Sequence, residues 1–308
     1  MKLTVFGEIL WDIFGDEKKI GGAPFNFGAH CAKLGFDVDV ISAVGNDTLG
    51  INAINAAKEL GVNTKNIQII DYETGHCLVT LNNGTPSYNL VQNVAYDNIP
   101  LPDDSCFTAD AFYFGTLAQR NVNSQATLNK LLDGNYKEVF FDINIRQHYY
   151  NDEMIDNSLK KTTIFKISRE EINVLGIDGT PEDICKVLGE KYNNLKLILV
   201  TLDKDGSLLY DVKNQKIIYS PKPTSKVVST VGAGDSFSAC FLSNYLNGKS
   251  AEECLVDLIS DPQTSGGLMV ALPAEDAYKY VEMLAEAGIT AAVIGEVIEK
   301  QEKDLIIA

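Results

Sequence analysis

The chain has 308 residues, 45% of them hydrophobic and 22% charged, enough for one large α/β domain or two smaller ones with a true core. A formal net charge of −16 argues against nucleic acid and anionic membrane surfaces as partners, because both need a basic patch. A phosphate-bearing ligand stays admissible, since local backbone dipoles hold anions inside acidic proteins.

The amino terminus, Met1-Lys2-Leu3-Thr4-Val5-Phe6-Gly7-Glu8, has no basic leader before a long apolar run and reads as a first strand rather than a signal peptide. No stretch reaches the apolar length of a bilayer span. The six cysteines (31, 77, 106, 185, 240, 254) contain no Cys-x-x-Cys pair and fit buried, reduced thiols. The three histidines are equally dispersed and outline no metal motif. The expectation is a soluble, cytoplasmic protein.

Short apolar runs then alternate with helical patterns, the signature of a parallel sheet between helices. Strands are expected at 3–6, 38–43, 111–114, 139–142, 164–167 and 197–201, and helices at 29–34, 50–60 and 124–132. Gly35 and Gly61 follow two of those helices, where a left-handed residue ends a helix without steric cost. Residues 78–91 read as a β-hairpin around Asn82-Asn83-Gly84, either a flap over a site or an edge extension of the main sheet.

Several segments carry polar groups suited to a ligand. Asp12, past the first strand, can accept hydrogen bonds from two hydroxyls. Gly21-Gly22-Ala23-Pro24-Phe25-Asn26 is a small-residue loop running into a helix, and Asn26 offers a donor and an acceptor. Phe141-Asp142-Ile143-Asn144-Ile145-Arg146 sets polar residues, Asn144 and Arg146 among them, in alternation at the carboxyl end of a strand. Ligands of open parallel sheets bind at such ends.

The most informative stretch is Val227 to Phe237, a β-branched run followed by Gly232-Ala233-Gly234-Asp235. Phe237, Cys240, Phe241 and Tyr245 then recur with helical spacing, and Gly248 closes the helix. A small-residue loop opening onto a helix amino terminus presents unpaired N–H groups to an anion. Asp235 in the first turn reads either as a general base for a hydroxyl attacking phosphorus or as an N-capping residue.

Taken in order, Gly7–Asp12, Gly21–Asn26, Gly45-Asn46-Asp47-Thr48-Leu49-Gly50, Asp142-x-Asn144-x-Arg146, Thr201–Gly206 and Thr230–Asp235 resemble the ribokinase-like (PfkB) carbohydrate kinases, and within them the bacterial fructokinases. The resemblance runs over about residues 1–256 and implies a three-layer α/β sandwich with a small β lid at about 74–98. It also implies ATP as co-substrate and Mg²⁺ as cofactor, a sugar as the partner, and admits a homodimer. Asp12, Gly22 and Asn26 would hold the sugar, with Asn144 and Arg146 beside it. Asp235 would be the base, and Gly232, Ala233 and Gly234 the anion hole. Lys166, Ser168, Thr201 and Gly206 would lie along the nucleotide, and Glu171 near the Mg²⁺ and phosphates. The chain departs from the family at Ser168, where Asn is common, at Asp203, where Gly is usual, and at Ser229, where Asp is common.

Residues 257–308 differ in kind. Asp261-Pro262-Gln263-Thr264-Ser265-Gly266-Gly267 and its sequel resemble the carboxyl end of selenophosphate synthetase (selenide, water dikinase). The expected order there is loop, a strand at 268–272, a helix to Ala287 and a strand at 291–294. The turn at 264–267 reads as a tight turn or, less simply, an anion site. The catalytic half of that second enzyme is missing, so selenium chemistry is a remote reading. The nearer alternative to a fructokinase is a kinase-like protein impaired because the helices expected over the adenine are replaced.

Overall fold

Strands that are apolar on both faces, rather than alternating, set the architecture, and only a sheet covered on both sides can accommodate them. The structure is a computed structural model describing residues 1–82, 85–220, 232–260 and 274–286. The chain opens with β1 (Lys2–Phe6), β2 (Leu10–Phe14), β3 (Glu17–Gly21), α1 (Ala23–Lys33), β4 (Asp37–Gly45), α2 (Thr48–Glu59) and β5 (Ile67–Ile70). The hairpin β6 (His76–Asn82) and β7 (Thr85–Leu90) precedes β8 (Thr108–Phe114), α3 (Val122–Leu131), β9 (Asn135–Asp142), α4 (Asp152–Leu159) and β10 (Ile164–Ser168). After them come α5 (Pro181–Lys191), β11 (Leu197–Thr201), β12 (Ser207–Asp211), β13 (Lys216–Tyr219), α6 (Ala233–Leu246), α7 (Ala251–Ser260) and α8 (Ala274–Glu286).

Nine strands form one sheet in the order β13-β12-β11-β10-β9-β8-β1-β4-β5. All neighbours are parallel except at β12 and β13. Phe6, Ile41, Phe114, Phe141, Phe165 and Val200 pack on one face with buried residues of α3, α4 and α5. Val5, Val40, Tyr113, Phe140 and Leu199 pack on the other with Phe27 of α1 and Phe241 of α6. The result is the expected three-layer sandwich. All six cysteines are buried thiols, none in a disulfide. Among the described residues no helix is long and apolar enough to cross a membrane.

The hairpin is not an edge of this sheet. It belongs to a second, four-stranded sheet ordered β3-β2-β6-β7, joined there by two strands absent from the sequence expectation, β2 and β3. Asp12 therefore sits within a strand of the second sheet, opposite Cys77. The turn residues 83–84 lie outside the described residues.

Helix ends follow their local chemistry. Gly35 (φ +89°) and Gly61 (φ +80°) take the left-handed conformation expected of them. α1 starts at Ala23, ahead of its expected start at 29, because Pro24 suits a first helical turn; Asn26 is thereby on the helix rather than in a loop. Ser250 and Glu253 form the reciprocal cap that opens α7, with bonds of 2.8 and 3.3 Å.

By internal contacts the chain divides into two units, Met1–Asp261 and Pro262–Ala308. Both sheets and α1–α7 belong to the first, and α8, matching the predicted tail helix, is the described part of the second. The tail's expected turn and strands (264–267, 268–272, 291–294) lie outside the described residues.

Candidate active site

The sheet extends from β1 in one direction to β4 and β5, and in the other through β8 to β11. Ligands of open α/β sheets bind at the carboxyl ends of strands where such a reversal occurs. Of the predicted residues, Asn26 meets Asp235 and Lys166 meets Gly234.

Gly232 precedes α6 in the left-handed conformation, φ +76°, and among the described residues no side chain caps this helix. Its first N–H groups are thus left for a ligand or solvent. Asp235 is in the first turn but does not cap; its Oδ2 accepts a 2.9 Å hydrogen bond from Asn26 Nδ2. Burial pushes the Asp235 carboxyl up to about 6, and Asp142 adds to that, while the Asn26 bond, Lys166 and Arg146 oppose it. A carboxylate tuned towards neutrality is suited to taking up a proton. Residues 227–231, including Ser229, lie outside the described residues.

Lys166 reaches this centre from β10. Its Nζ lies 3.0 Å from both oxygens of Asp142, and a Cβ on Gly234 would come within 3.1 Å of it. Burial alone would lower the Lys166 pKa, but the Asp142 carboxylate, with Glu171 and Asp235 behind it, outweighs burial and keeps the amine charged. Glycine at 234 leaves that ammonium facing the helix amino terminus. Asp142 itself is fully buried and also accepts from Tyr113 Oη and Ser238 Oγ at 3.2 Å, so it is a support for Lys166 rather than a ligand-facing group.

On the opposite side, Asp12 is half-buried and its carboxyl is raised by burial against the pull of Arg146. A Cβ on Gly21 would lie 3.2 Å from Asp12 Oδ2, so the glycine keeps the carboxylate uncovered. Gly22 has φ +108°, and a Cβ there would strike the Glu8 carbonyl at 2.4 Å. Only glycine fits. Beneath it, Glu8 is buried, its Oε2 has no partner among the described residues, and burial raises its carboxyl to about 7.

The strand expected at 139–142 ends where the sequence places its end. β9 ends at Asp142, and Asn144 turns the chain with φ +38° as the segment leaves the sheet. The charge of Arg146 acts on Glu8, Asp12 and Asp235 together, opposing the burial that raises each carboxyl.

Ser168 and Thr201 are register partners at the ends of β10 and β11, and Gly206 (φ +95°) follows the next turn. Glu171 holds that edge: its carboxylate accepts from the amides of Ile145 at 2.7 Å and Ser168 at 2.9 Å. It therefore joins the loop carrying Arg146 to the end of β10. Asp203 has φ +54°, which explains why glycine suits that position.

Sequence reasoning misses Glu8 as a site residue, and places Asp142 only within a motif. A charged residue at the end of an apolar strand is the available signal for both. The Gly45–Gly50 motif carries no predicted role; Asp47 caps α2 through the Gly50 amide at 2.8 Å and binds Thr74 twice, at 2.7 and 2.9 Å, just before the hairpin.

Comparison with known proteins agrees with this geometry. The uncharacterized sugar kinase PH1459 of Pyrococcus horikoshii is 30% identical over 273 residues, covering 81% of this chain and 84% of that one. Its crystal structure in complex with ATP matches with a TM-score of 0.68, over 81% of this chain and 86% of that chain. The ATP-dependent 6-phosphofructokinase of Thermoanaerobacterium thermosaccharolyticum is 27% identical over 277 residues, 82% of this chain and 84% of that one. The Arabidopsis thaliana protein named "Probable fructokinase-6, chloroplastic" is 28% identical over 298 residues, 89% of this chain and 77% of that one. Residues 230–308 match the AIR synthase related protein, C-terminal domain, a match that begins two residues before Gly232 and is consistent with the tail's distinct character. The ribokinase-like sandwich, the convergence of Asn26, Lys166 and Asp235 on the α6 amino terminus, and a match over residues 5–256 place the chain in the pfkB family of carbohydrate kinases.

Proposed function

We propose that the protein transfers the γ-phosphoryl group of ATP to a primary hydroxyl of a free hexose, fructose first among them. The observation that carries this reading is the Asp235 carboxylate, held by Asn26 at 2.9 Å in the first turn of α6 beside the Gly232–Gly234 turn. The sugar oxygen forms a bond to phosphorus as the bond to the ADP oxygen breaks, and the hydroxyl proton passes to Asp235. Asp12, Gly22 and Asn26 bind and orient the sugar, with Asn144 and Arg146 at its other side. Lys166 and the amides of Gly232, Ala233 and Gly234 receive the negative charge of the transferring group. Ser168, Thr201 and Gly206 line the nucleotide.

Mg²⁺ fits this arrangement as a phosphate-bound ion. Among the described residues no cluster of three ligating side chains exists, and both Glu171 oxygens already accept amide hydrogens, which suits contact through water. When bound, the metal neutralises phosphate charge.

A free sugar is favoured over a phosphorylated one by the local charge. Arg146 acts through its charge on Glu8, Asp12 and Asp235 alike, and Lys166 is committed to Asp142. A second phosphate would find little cationic surface there. The relatives named fructokinase support the choice of hexose. The same reading makes residues 1–256 the kinase domain and 257–308 a segment akin to the end of selenophosphate synthetase, in a cytoplasmic protein without nucleic-acid or membrane partners.

A coupled ADP-release assay over fructose, fructose 6-phosphate, ribose and cytidine tests the proposal. Fructose should show the highest kcat/KM; a larger value for any of the others overturns the substrate assignment. The match of residues 230–308 to a second family favours one further reading, a kinase-shaped protein with impaired turnover. Stabilisation by fructose without ADP release would select it.

A further inference from the structure

Arg120 has no part in the reaction above, yet its side chain is only 4% exposed. It ends the short 3-10 turn Leu117–Arg120 that follows β8. Its guanidinium lies close to two aromatic rings, 4.8 Å from the centroid of Tyr96 and 4.7 Å from that of Tyr149. Nε and Nη2 donate to the two oxygens of Asp97 at 2.6 and 2.9 Å, and Nη2 also donates to the Val91 carbonyl at 2.6 Å. A planar fork with stacking faces serves these partners at once, which a lysine ammonium cannot.

The partners share a location. Val91 is the first residue after β7, where the hairpin leaves the second sheet. The Tyr96 ring fills the space over Gly75, where a Cβ would lie 2.4 Å from the ring, and the Gly75 carbonyl accepts the Trp11 amide at 3.0 Å where the hairpin enters. The Tyr149 amide donates to the Arg146 carbonyl at 3.2 Å, and its hydroxyl accepts from Gln92 at 2.9 Å. Both roots of the hairpin and the loop bearing Arg146 therefore meet around one guanidinium.

We propose that Arg120 is a positioning residue for the sugar: its contacts with Tyr96, Tyr149 and Val91 hold the hairpin roots and the Arg146 loop in fixed relation, and so set how the hairpin covers the sugar. This rests on the reading of the site as a sugar kinase. In this role Arg120 touches no substrate and acts through Tyr96, Tyr149 and Val91.

The test compares the full chain with Arg120→Lys, Arg120→Met and Tyr149→Leu. Each variant should raise the fructose KM by about tenfold or more, as expected when a substrate-positioning group shifts, and leave the ATP KM within about twofold. Amide hydrogen exchange should quicken across β6 and β7 and stay unchanged in β1, β8 and β9. Equal rises in both KM values, or unchanged exchange in the hairpin of the folded variants, would overturn the proposal. Should Arg120→Met fail to fold, Arg120→Lys and Tyr149→Leu decide the matter, since one keeps the charge and the other alters only a half-buried ring. A wild-type chain that phosphorylates no sugar would defeat the kinase reading instead, and the exchange comparison would still judge the role of Arg120.

Discussion

Asn26 Nδ2 and Asp235 Oδ2, 2.9 Å apart, join the first turn of α1 to the first turn of α6. The bond favours the ionised form of a carboxyl that burial raises to about 6. Asn26→Ala removes that support, so the acid limb of the kcat/KM profile should move up by about one unit, the worth of a charge-assisted hydrogen bond. Asp235→Asn should lower kcat by at least about a hundredfold while fructose binding stays near wild type. Retention of more than a tenth of wild-type kcat would remove Asp235 from the role of base.

The Lys166–Asp142 pair predicts a separation of stability from activity. Asp142→Ala strands a buried ammonium and should cost about 3–5 kcal/mol in urea denaturation. Adding Lys166→Met should recover most of that loss, because an apolar side chain of similar length needs no counter-charge. Turnover should not return with it. Recovery of both together would show that Lys166 is structural.

Glu8 predicts a pH-dependent stability of defined sign. Its carboxyl rises from 4.5 in the unfolded chain to about 7 in the fold, chiefly through burial. The folded state therefore holds the proton more tightly; this contribution is fully present below pH 4.5 and is lost as pH rises from there through about 7. The loss is on the order of 3 kcal/mol. Glu8→Gln cannot ionise, so its Tm relative to wild type should rise between about pH 5 and about pH 8. A constant difference across that range would mean that Glu8 does not titrate there.

Two backbone conformations near the nucleotide edge are also open to test. Gly206 has φ +95° and ψ −136°, a region reserved for glycine, so Gly206→Ala should destabilise by about 1–3 kcal/mol and raise the ATP KM. Asp203 at φ +54° should accept Asp203→Gly within about 0.5 kcal/mol, whereas Asp203→Val should cost about 1–2 kcal/mol. Chemical denaturation of the three variants checks the order.

The tail predicts a weak nucleotide site. If residues 257–308 stand where adenine-covering helices are expected, the ATP KM should be at or above roughly 1 mM, the upper end of the usual range. Grafting a fructokinase ending in their place should lower it and raise the Tm. Low-micromolar ATP binding by the chain as it stands would show that the tail is a working substitute.

The strands β1, β4 and β8–β11 of the main sheet, the helices α2 and α3 and the turn before α6 are legible in the linear order of residues. An apolar run such as Leu197–Thr201 has to bury both of its faces, which calls for a sheet with a layer on each side. Small residues ahead of Asp235, followed by apolar positions at helical spacing, announce a helix opening at Gly232. Gly35 and Gly61 mark helix ends for an equally local reason, the left-handed backbone that glycine adopts freely.

Assembly of the fold settles which distant groups share a site. β3 holds a single large apolar residue, Ile20, and its place as a strand is visible only once β2 pairs with it on one side and with β6 on the other. Lys166 meets Gly234 and Asp142, Asn26 meets Asp235, and Arg120 meets Val91 and Tyr149 only in the assembled fold. The raised carboxyls of Glu8 and Asp235 belong to the same level. Local propensity depends on neighbours a few residues away, whereas the burial that raises these groups is built by segments far apart in the chain.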